Sequence, residues 1–289
     1  MARGDELVAL SRSGTALQDG TPTVAHDLAT TEAPNALLAG ASTVFHLAAI
    51  AHRSAPAADY EQLNYHATVA LAAQAAAAGA ACFVYLSSVR AMGQPNSSDR
   101  RSENDCRLPV EPYGLSKWRA ECALRAAYAD HPMSVVVLRP SLIYGAGVKG
   151  NLRLLARAVR RGLPRLPAGG RRSLIAVEDL VALMCCVADA PPPGAHTWIA
   201  TGEDASTQQI VDALRAALGK RSDSPPVPRW IWRAAARAHD AIRRTPGLSS
   251  YEALFGTELY DNSAVRAGTV WRPRHTFRQA AAELLREPA

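Results

Sequence analysis

The hexapeptide Pro112-Tyr113-Gly114-Leu115-Ser116-Lys117 sets a phenol four residues ahead of an ammonium. The run that follows, Trp118 to Tyr128, is rich in Ala, Leu, Arg and Glu and reads as a helix. Pro112 and Gly114 suit its start, so Tyr113 and Lys117 share one face, one turn apart. That pairing suits acid–base chemistry. A free phenol titrates near pH ~10. An ammonium ~6 Å away, at an effective dielectric of ~20, contributes roughly 2.8 kcal/mol, about two pK units of downward tuning. The chain has eight tyrosines but three lysines, Lys117, Lys149 and Lys220, and otherwise uses arginine as its cation. A lysine here is therefore a selected residue: a compact point charge that also bonds a ribose hydroxyl. Upstream, Ser87 and Ser88 follow the apolar strand Cys82-Phe83-Val84-Tyr85-Leu86. Ser88 thus lies at a strand's carboxyl end, where open parallel sheets bind their ligands.

Strand–Ser87-Ser88 followed by Tyr113-x-x-x-Lys117 resembles the extended short-chain dehydrogenase/reductase family of nucleotide-sugar epimerases, dehydratases and reductases. Further segments share the likeness: Phe45-His46-Leu47-Ala48-Ala49, Leu138-Arg139-Pro140 through Tyr144-Gly145, Arg172 through Leu180, and Asp261-Asn262-Ser263 through Trp271-Arg272-Pro273. The resemblance implies an NAD or NADP cofactor, with Ser88, Tyr113 and Lys117 catalytic. It implies cofactor contacts from Asp27 and Leu28, from Leu47, Ala48 and Ala49, and from the helix-borne Asn64. Arg172 would meet a substrate diphosphate and Asn151 would bond the substrate close by. Tyr144 through Asn151, with Gly202 through Thr207, is most similar to bacterial 4-reductases of UDP-linked 4-keto-6-deoxy-N-acetylhexosamines, which serve surface polysaccharide. A 4-epimerase would use the same catalytic set. With no apolar signal core in Met1 to Asp5 and an odd set of cysteines, the chain is expected in the cytoplasm, where it is free to form a homodimer.

One family feature has no counterpart. Glu6 to Leu10 reads as the family's second strand, and nothing ahead of it resembles the first strand, glycine loop or first helix. The first strand is central in that sheet. Either Met1 is a misplaced start, which the intact downstream pattern favours, or the chain is an inactive remnant or binding module. A later Gly145-Ala146-Gly147-Val148-Lys149-Gly150 has the G-x-G-x-x-G form, yet no acid lies about 20 positions on. It reads as a substrate-side loop. Arg12, where NAD enzymes set an acid for the ribose, points toward a 2′-phosphate and so toward NADP; a solvated loop arginine is the plain alternative.

Strand and helix signals alternate: a strand ending at Asp27, a strand over Thr43 to Leu47, a helix over Tyr60 to Ala78, a strand over Val135 to Leu138. This predicts an α/β, doubly wound parallel sheet with a smaller C-terminal substrate lobe. Residues 1–161 form the dinucleotide-binding domain, with 173–200 returning to it; 162–172 and 201–289 form the lobe. Gln94 to Pro109 reads as a loop at the rim of the site. Trp230 to Arg244 predicts a basic amphipathic helix, read as a lobe helix with a solvated arginine face in preference to a membrane contact.

The chain has 289 residues and a formal net charge of +6. No basic run carries stacking aromatics, so nucleic acid is not the expected partner; an anionic cofactor and substrate fit the charge. The five cysteines lack metal-ligand spacing and read as reduced thiols. No stretch is apolar enough to span a bilayer.

Overall fold

Cys82-Phe83-Val84-Tyr85-Leu86 is apolar at every position, as a strand covered on both faces must be. The computed structural model places it inside a four-stranded parallel sheet. The structure describes residues 5–17, 19–51, 55–95, 99–147, 150–220, 226–243 and 250–285. In chain order these form β1 (Ala9–Ser11), β2 (Thr23–Ala25), α1 (Asn35–Leu38) and β3 (Thr43–His46). One long helical run follows, made of α2 (Ala57–Tyr60), a π-helical stretch at Glu61–His66, and α3 (Ala67–Ala77). Next come β4 (Cys82–Leu86), a 3-10 turn at Val89–Met92, β5 (Arg100–Arg101), α4 (Pro112–Tyr128), β6 (Ser134–Pro140) and β7 (Leu142–Tyr144). The chain continues through α5 (Asn151–Arg160), β8 (Arg171–Ala176), α6 (Val177–Asp189), β9 (Ala195–Ala200), β10 (Glu203–Ser206) and α7 (Thr207–Ala217). It closes with α8 (Arg229–Arg243), α9 (Ser250–Phe255), β11 (Leu259–Tyr260), α10 (Ser263–Gly268) and α11 (Phe277–Leu284).

The main sheet has the order β3-β4-β6-β9, all parallel. Alternation along each strand sends side chains to two covered faces. Phe83, Tyr85, Val135 and Val137 meet α3 and α4 through Leu71, Ala75, Ala120 and Leu124. Cys82, Val84, Val136 and Leu138 meet α6 and the C-terminal segment through Leu180, Leu183, Val187 and Trp271. Helices on both faces make this the expected doubly wound α/β fold. β1 and β2 pair parallel in a separate two-stranded sheet. Among the described residues no ladder hydrogen bond joins this pair to β3. Leu10, Leu28 and Val44 nonetheless pack on one apolar cluster.

The second lobe is built on β10-β8-β7, with Leu152, Val159, Val211, Leu214, Phe277 and Leu284 in its core. β7 and α5, grouped by sequence with the dinucleotide-binding domain, pack their apolar side chains here. Asp179 ties the C-terminal segment down: its carboxylate accepts from the backbone N–H of Arg274 and His275, and its carbonyl from Trp271 Nε1. The expected rim loop contains one strand, β5, paired parallel with β11. The buried Arg101 holds it there by donating to the carbonyls of Met92, Gly93 and Asp105.

One buried ion pair joins the elements that carry the site. Arg139 on β6 donates through Nε to both carboxylate oxygens of Glu121 on α4, at 3.1 Å, and through Nη2 to Oε2 at 2.6 Å. Ser87, just past β4, donates to Oε1 of the same carboxylate. Removing one partner of such a pair strands a buried charge, at about 3–5 kcal/mol. Glu121→Ala is therefore expected to lower the unfolding free energy in urea by that amount, and Glu121→Leu with Arg139→Met to recover most of it. A single-variant loss under about 1 kcal/mol would show that the pair is not a structural joint.

Candidate active site

Tyr113 is the second residue of α4, behind a proline whose missing N–H costs a helix start nothing. Gly114 follows for a steric reason. A Cβ there would lie 2.6 Å from the Arg90 carbonyl oxygen, so the turn after β4 and the start of α4 meet across a glycine. Ser88 caps that turn, its Oγ accepting from the Arg90 N–H at 3.2 Å. Ser88 also lies close enough to the Tyr113 phenol to favour its ionised form. The Tyr60 ring meets the Tyr113 ring edge-on, with centroids 6.4 Å apart. One turn further on, Lys117 is buried; its Nζ donates to the Leu86 carbonyl at 2.8 Å and lies 4.5 Å from the Tyr85 ring centroid. The three expected catalytic residues thus converge at the carboxyl end of β4.

The electrostatics differ from the sequence expectation. Burial pushes the Tyr113 phenol up, while Ser88 and the Arg90 charge pull it down. Burial also pushes Lys117 down to about 7, with Glu121 pulling it back up. The lysine's head is drawn under the strand end by Leu86, and desolvation outweighs the tuning expected of it. The cation bearing on the phenol is Arg90. His46 at the end of β3 bonds Thr68 Oγ1 through Nε2 at 2.9 Å and stacks on Tyr85. Burial holds it neutral, with a pKa of about 3.

Leu47 and Ala48 are exposed just beyond β3, with Ala49 half-buried behind them. They share the carboxyl edge of the main sheet with Ser88. Asp27 and Arg12 lie on the separate pair: Arg12 is exposed in the turn after β1, and Asp27 is half-buried after β2, its Oδ1 accepting from Ala29 N–H at 3.0 Å. Leu28 packs into the core cluster. Asn64 does something other than expected. It is fully buried, and its amide is taken up by Ile50 N–H, Ile50 carbonyl and Ser116 Oγ. It fastens the loop after β3 to α4 instead of facing the cleft. A nicotinamide dinucleotide fits this edge at two places: Lys117 keeps N–H donors beyond the one given to Leu86, and Asp27 keeps Oδ2 for an adenine amine. Pyrophosphate contacts of the glycine-loop kind have no counterpart among the described residues.

On the substrate side the structure adds a residue that the sequence reading missed. Arg90 is half-buried and lines a cleft with Val89, Gly93, Glu111, Glu258 and Tyr260. Arg172 on β8 lies within its electrostatic reach. Arg172 Nη2 donates to the Glu252 carbonyl at 2.8 Å, while its Nε is buried without a partner among the described residues. Burial lowers the Arg172 pKa, Glu258 raises it, and Arg90 lowers it further. Two guanidiniums within electrostatic reach of one another make a positive region suited to an anion. The signal for Arg90 was its place two residues past Ser88, hidden because arginine is this chain's ordinary cation. Asn151 opens α5, and its side chain lies outside the described residues, as do Val148 and Lys149 of the glycine-rich loop. Gly145 in that loop has φ 139°, and a Cβ there would lie 2.4 Å from Val177 Cγ1, so its close approach is to α6. No cluster of metal-ligating side chains occurs among the described residues.

Known proteins resemble this chain in sequence and fold. The UDP-glucose 4-epimerase of Vibrio cholerae is 33% identical over 257 residues, covering 84% of this chain and 75% of that protein. The N-acetyl-alpha-D-glucosaminyl-diphospho-ditrans,octacis-undecaprenol 4-epimerase of Escherichia coli O157:H7 is 26% identical over 228 residues, 76% of this chain and 68% of that one. The fold is that of MoeE5, solved in complex with UDP-glucuronic acid and NAD: TM-score 0.75, 23% identity, covering 98% of this chain and 90% of that one. The sequence pattern of the NAD dependent epimerase/dehydratase family matches residues 1–200. With Ser88, Tyr113 and Lys117 gathered at one strand end of a doubly wound sheet, and with a relative so similar over most of its length, the chain belongs to the NAD dependent epimerase/dehydratase family.

Proposed function

We propose that the protein is a nucleotide-sugar oxidoreductase working at C4 of a UDP-linked hexose, and that its net reaction reduces the 4-keto group of a UDP-linked 6-deoxy-N-acetylhexosamine. The observation carrying this is the convergence of Ser88, Tyr113 and Lys117 at the carboxyl end of β4, with the Arg90 charge bearing on the phenol. When bound, the reduced nicotinamide supplies the hydride that C4 receives. Tyr113 gives its proton to the carbonyl oxygen, and the resulting phenolate recovers a proton from solvent. Ser88 orients that oxygen. Lys117, anchored on Leu86, holds the nicotinamide ribose. Arg172 supplies positive charge for a diphosphate. Arg12, exposed after β1, meets a 2′-phosphate and favours NADP.

Epimerisation is the second reading, favoured by the likeness to the Vibrio cholerae UDP-glucose 4-epimerase. It uses the same residues twice: Tyr113 first takes the 4-hydroxyl proton and later returns it, with no net use of cofactor. The two readings separate by assay. Purified protein given the UDP-4-keto sugar with NADPH or NADH should consume reduced cofactor and yield the 4-hydroxy sugar. Conversion of a UDP-hexose to its 4-epimer with catalytic NAD, and no such consumption, selects the second. In either case Tyr113→Phe should lower kcat by about 10²–10⁴-fold with KM little changed. Full activity of that variant would remove both readings.

The pH profile follows from the same geometry. Reduction needs the protonated phenol, and burial raises its pKa, so the rate should hold through neutrality and fall on an alkaline limb. The Arg90 charge favours the phenolate. Arg90→Met is thus expected to raise the Tyr113 pKa and move the limb to higher pH by about one unit, while Arg90→Lys leaves it nearly in place. A limb that stays put in Arg90→Met would show that Arg90 does not act on the phenol.

A further inference from the structure

Helix α8 packs on the second lobe by a narrow strip. Trp232 and Ala236 face inward, and Asp240 continues the line, its carboxylate accepting from Ser250. The Trp232 ring meets Phe255 edge-on, 6.3 Å between centroids. At about 100° per residue, Trp230, Ala234, Ala238 and Ala241 fall on one stripe, with Ile231 and Ala235 beside it. That stripe points away from the packed strip. All six residues are exposed, Trp230 at 70% of its surface and Ile231 at 39%. The expected solvated arginine face is therefore only a border. Arg229, Arg233 and Arg237 run along one edge of an outward apolar face. Arg229 is tied to the Ala168 carbonyl and Arg233 lies over the Tyr251 ring, 5.2 Å from its centroid. Arg237 follows one turn on, exposed.

We infer that this face of α8 docks on an anionic lipid surface. An apolar face bordered by cations, with a tryptophan at one end, suits the boundary between headgroups and acyl chains. Among the described residues no helix is long and apolar enough to cross a membrane, so the contact lies in the plane of the surface. Charge argues against a second copy as the occupant. A two-fold pair would set one arginine border near the other. The only acid in the described part of α8, Asp240, is committed to Ser250, so no carboxylate on this face meets a partner's arginines.

The test is flotation of the full chain with vesicles at low salt. The probes are phosphatidylcholine alone and phosphatidylcholine mixed with phosphatidylglycerol at about three to one. The protein should float with the anionic vesicles and not with the neutral ones, and about 1 M salt should release it. Trp230→Glu with Ile231→Glu should abolish flotation, and Arg237→Gln should weaken partitioning about fivefold. These side chains are exposed, and unchanged thermal melts of the variants exclude misfolding as the cause. Failure to float with either vesicle overturns the inference, as does flotation that survives Trp230→Glu with Ile231→Glu. A lipid-free dimer that the same double variant converts to monomer also overturns it, assigning the face to a second copy. None of these outcomes depends on the reaction assigned to the cleft.

Discussion

The buried bond between Glu121 and Arg139 is the constraint on which the rest hangs. Glu121 stands one turn beyond Lys117 on α4, Arg139 stands on β6, and Ser87 reaches the same carboxylate from the end of β4. Three elements are thereby indexed to one another within hydrogen-bond tolerance. Each also delivers chemistry: β4 leads into Ser88, the first two turns of α4 carry Tyr113 and Lys117, and β6 leads through β7 toward the second lobe. A hydrophobic contact would hold these elements together but would not fix their angular register, because apolar packing has no direction. The pair also places a negative charge near Lys117 and so opposes part of the lysine's desolvation.

Within the cleft, burial and charge work against each other. Both Tyr113 and Lys117 are driven toward their neutral forms by the surrounding apolar sheet. A neutral phenol is the form that donates a proton. The charged neighbour that moderates this is Arg90, and its backbone carbonyl is also the atom that forbids a side chain at position 114. One residue therefore supplies a steric limit on α4 and an electrostatic influence on its second residue.

Parts of this were legible along the chain because their signals are local. The run Cys82–Leu86 could only be a strand covered on both faces. The four-residue spacing of Tyr113 and Lys117 placed them on one helix face, and Pro112 and Gly114 marked where that helix begins. Other parts were not legible because their causes are distant. β5 is two arginines long, and it is a strand only because Leu259 and Tyr260 arrive beside it. The role of Asn64 depends on Ile50 and Ser116, residues far apart in sequence. The downward pull of Lys117 on Tyr113 failed as an expectation because spacing says nothing of burial. For α8 the sequence showed amphipathicity but not which face would be turned inward; Trp232 rather than Trp230 settled that by meeting Phe255.

Among the described residues the β1-β2 pair shares no ladder hydrogen bond with the four-stranded sheet, and this has a bearing on cooperativity. Ladder hydrogen bonds transmit order from strand to strand, whereas the apolar contacts of Leu10 and Leu28 transmit it only as packing. β1 and β2 are three residues each, a small unit with little to hold it by itself. Asp27 and Arg12 ride on that unit, while Ser88, Tyr113 and Lys117 ride on the larger one. A ligand spanning both would couple them mechanically, and part of its binding free energy would be spent in ordering the smaller unit against the larger.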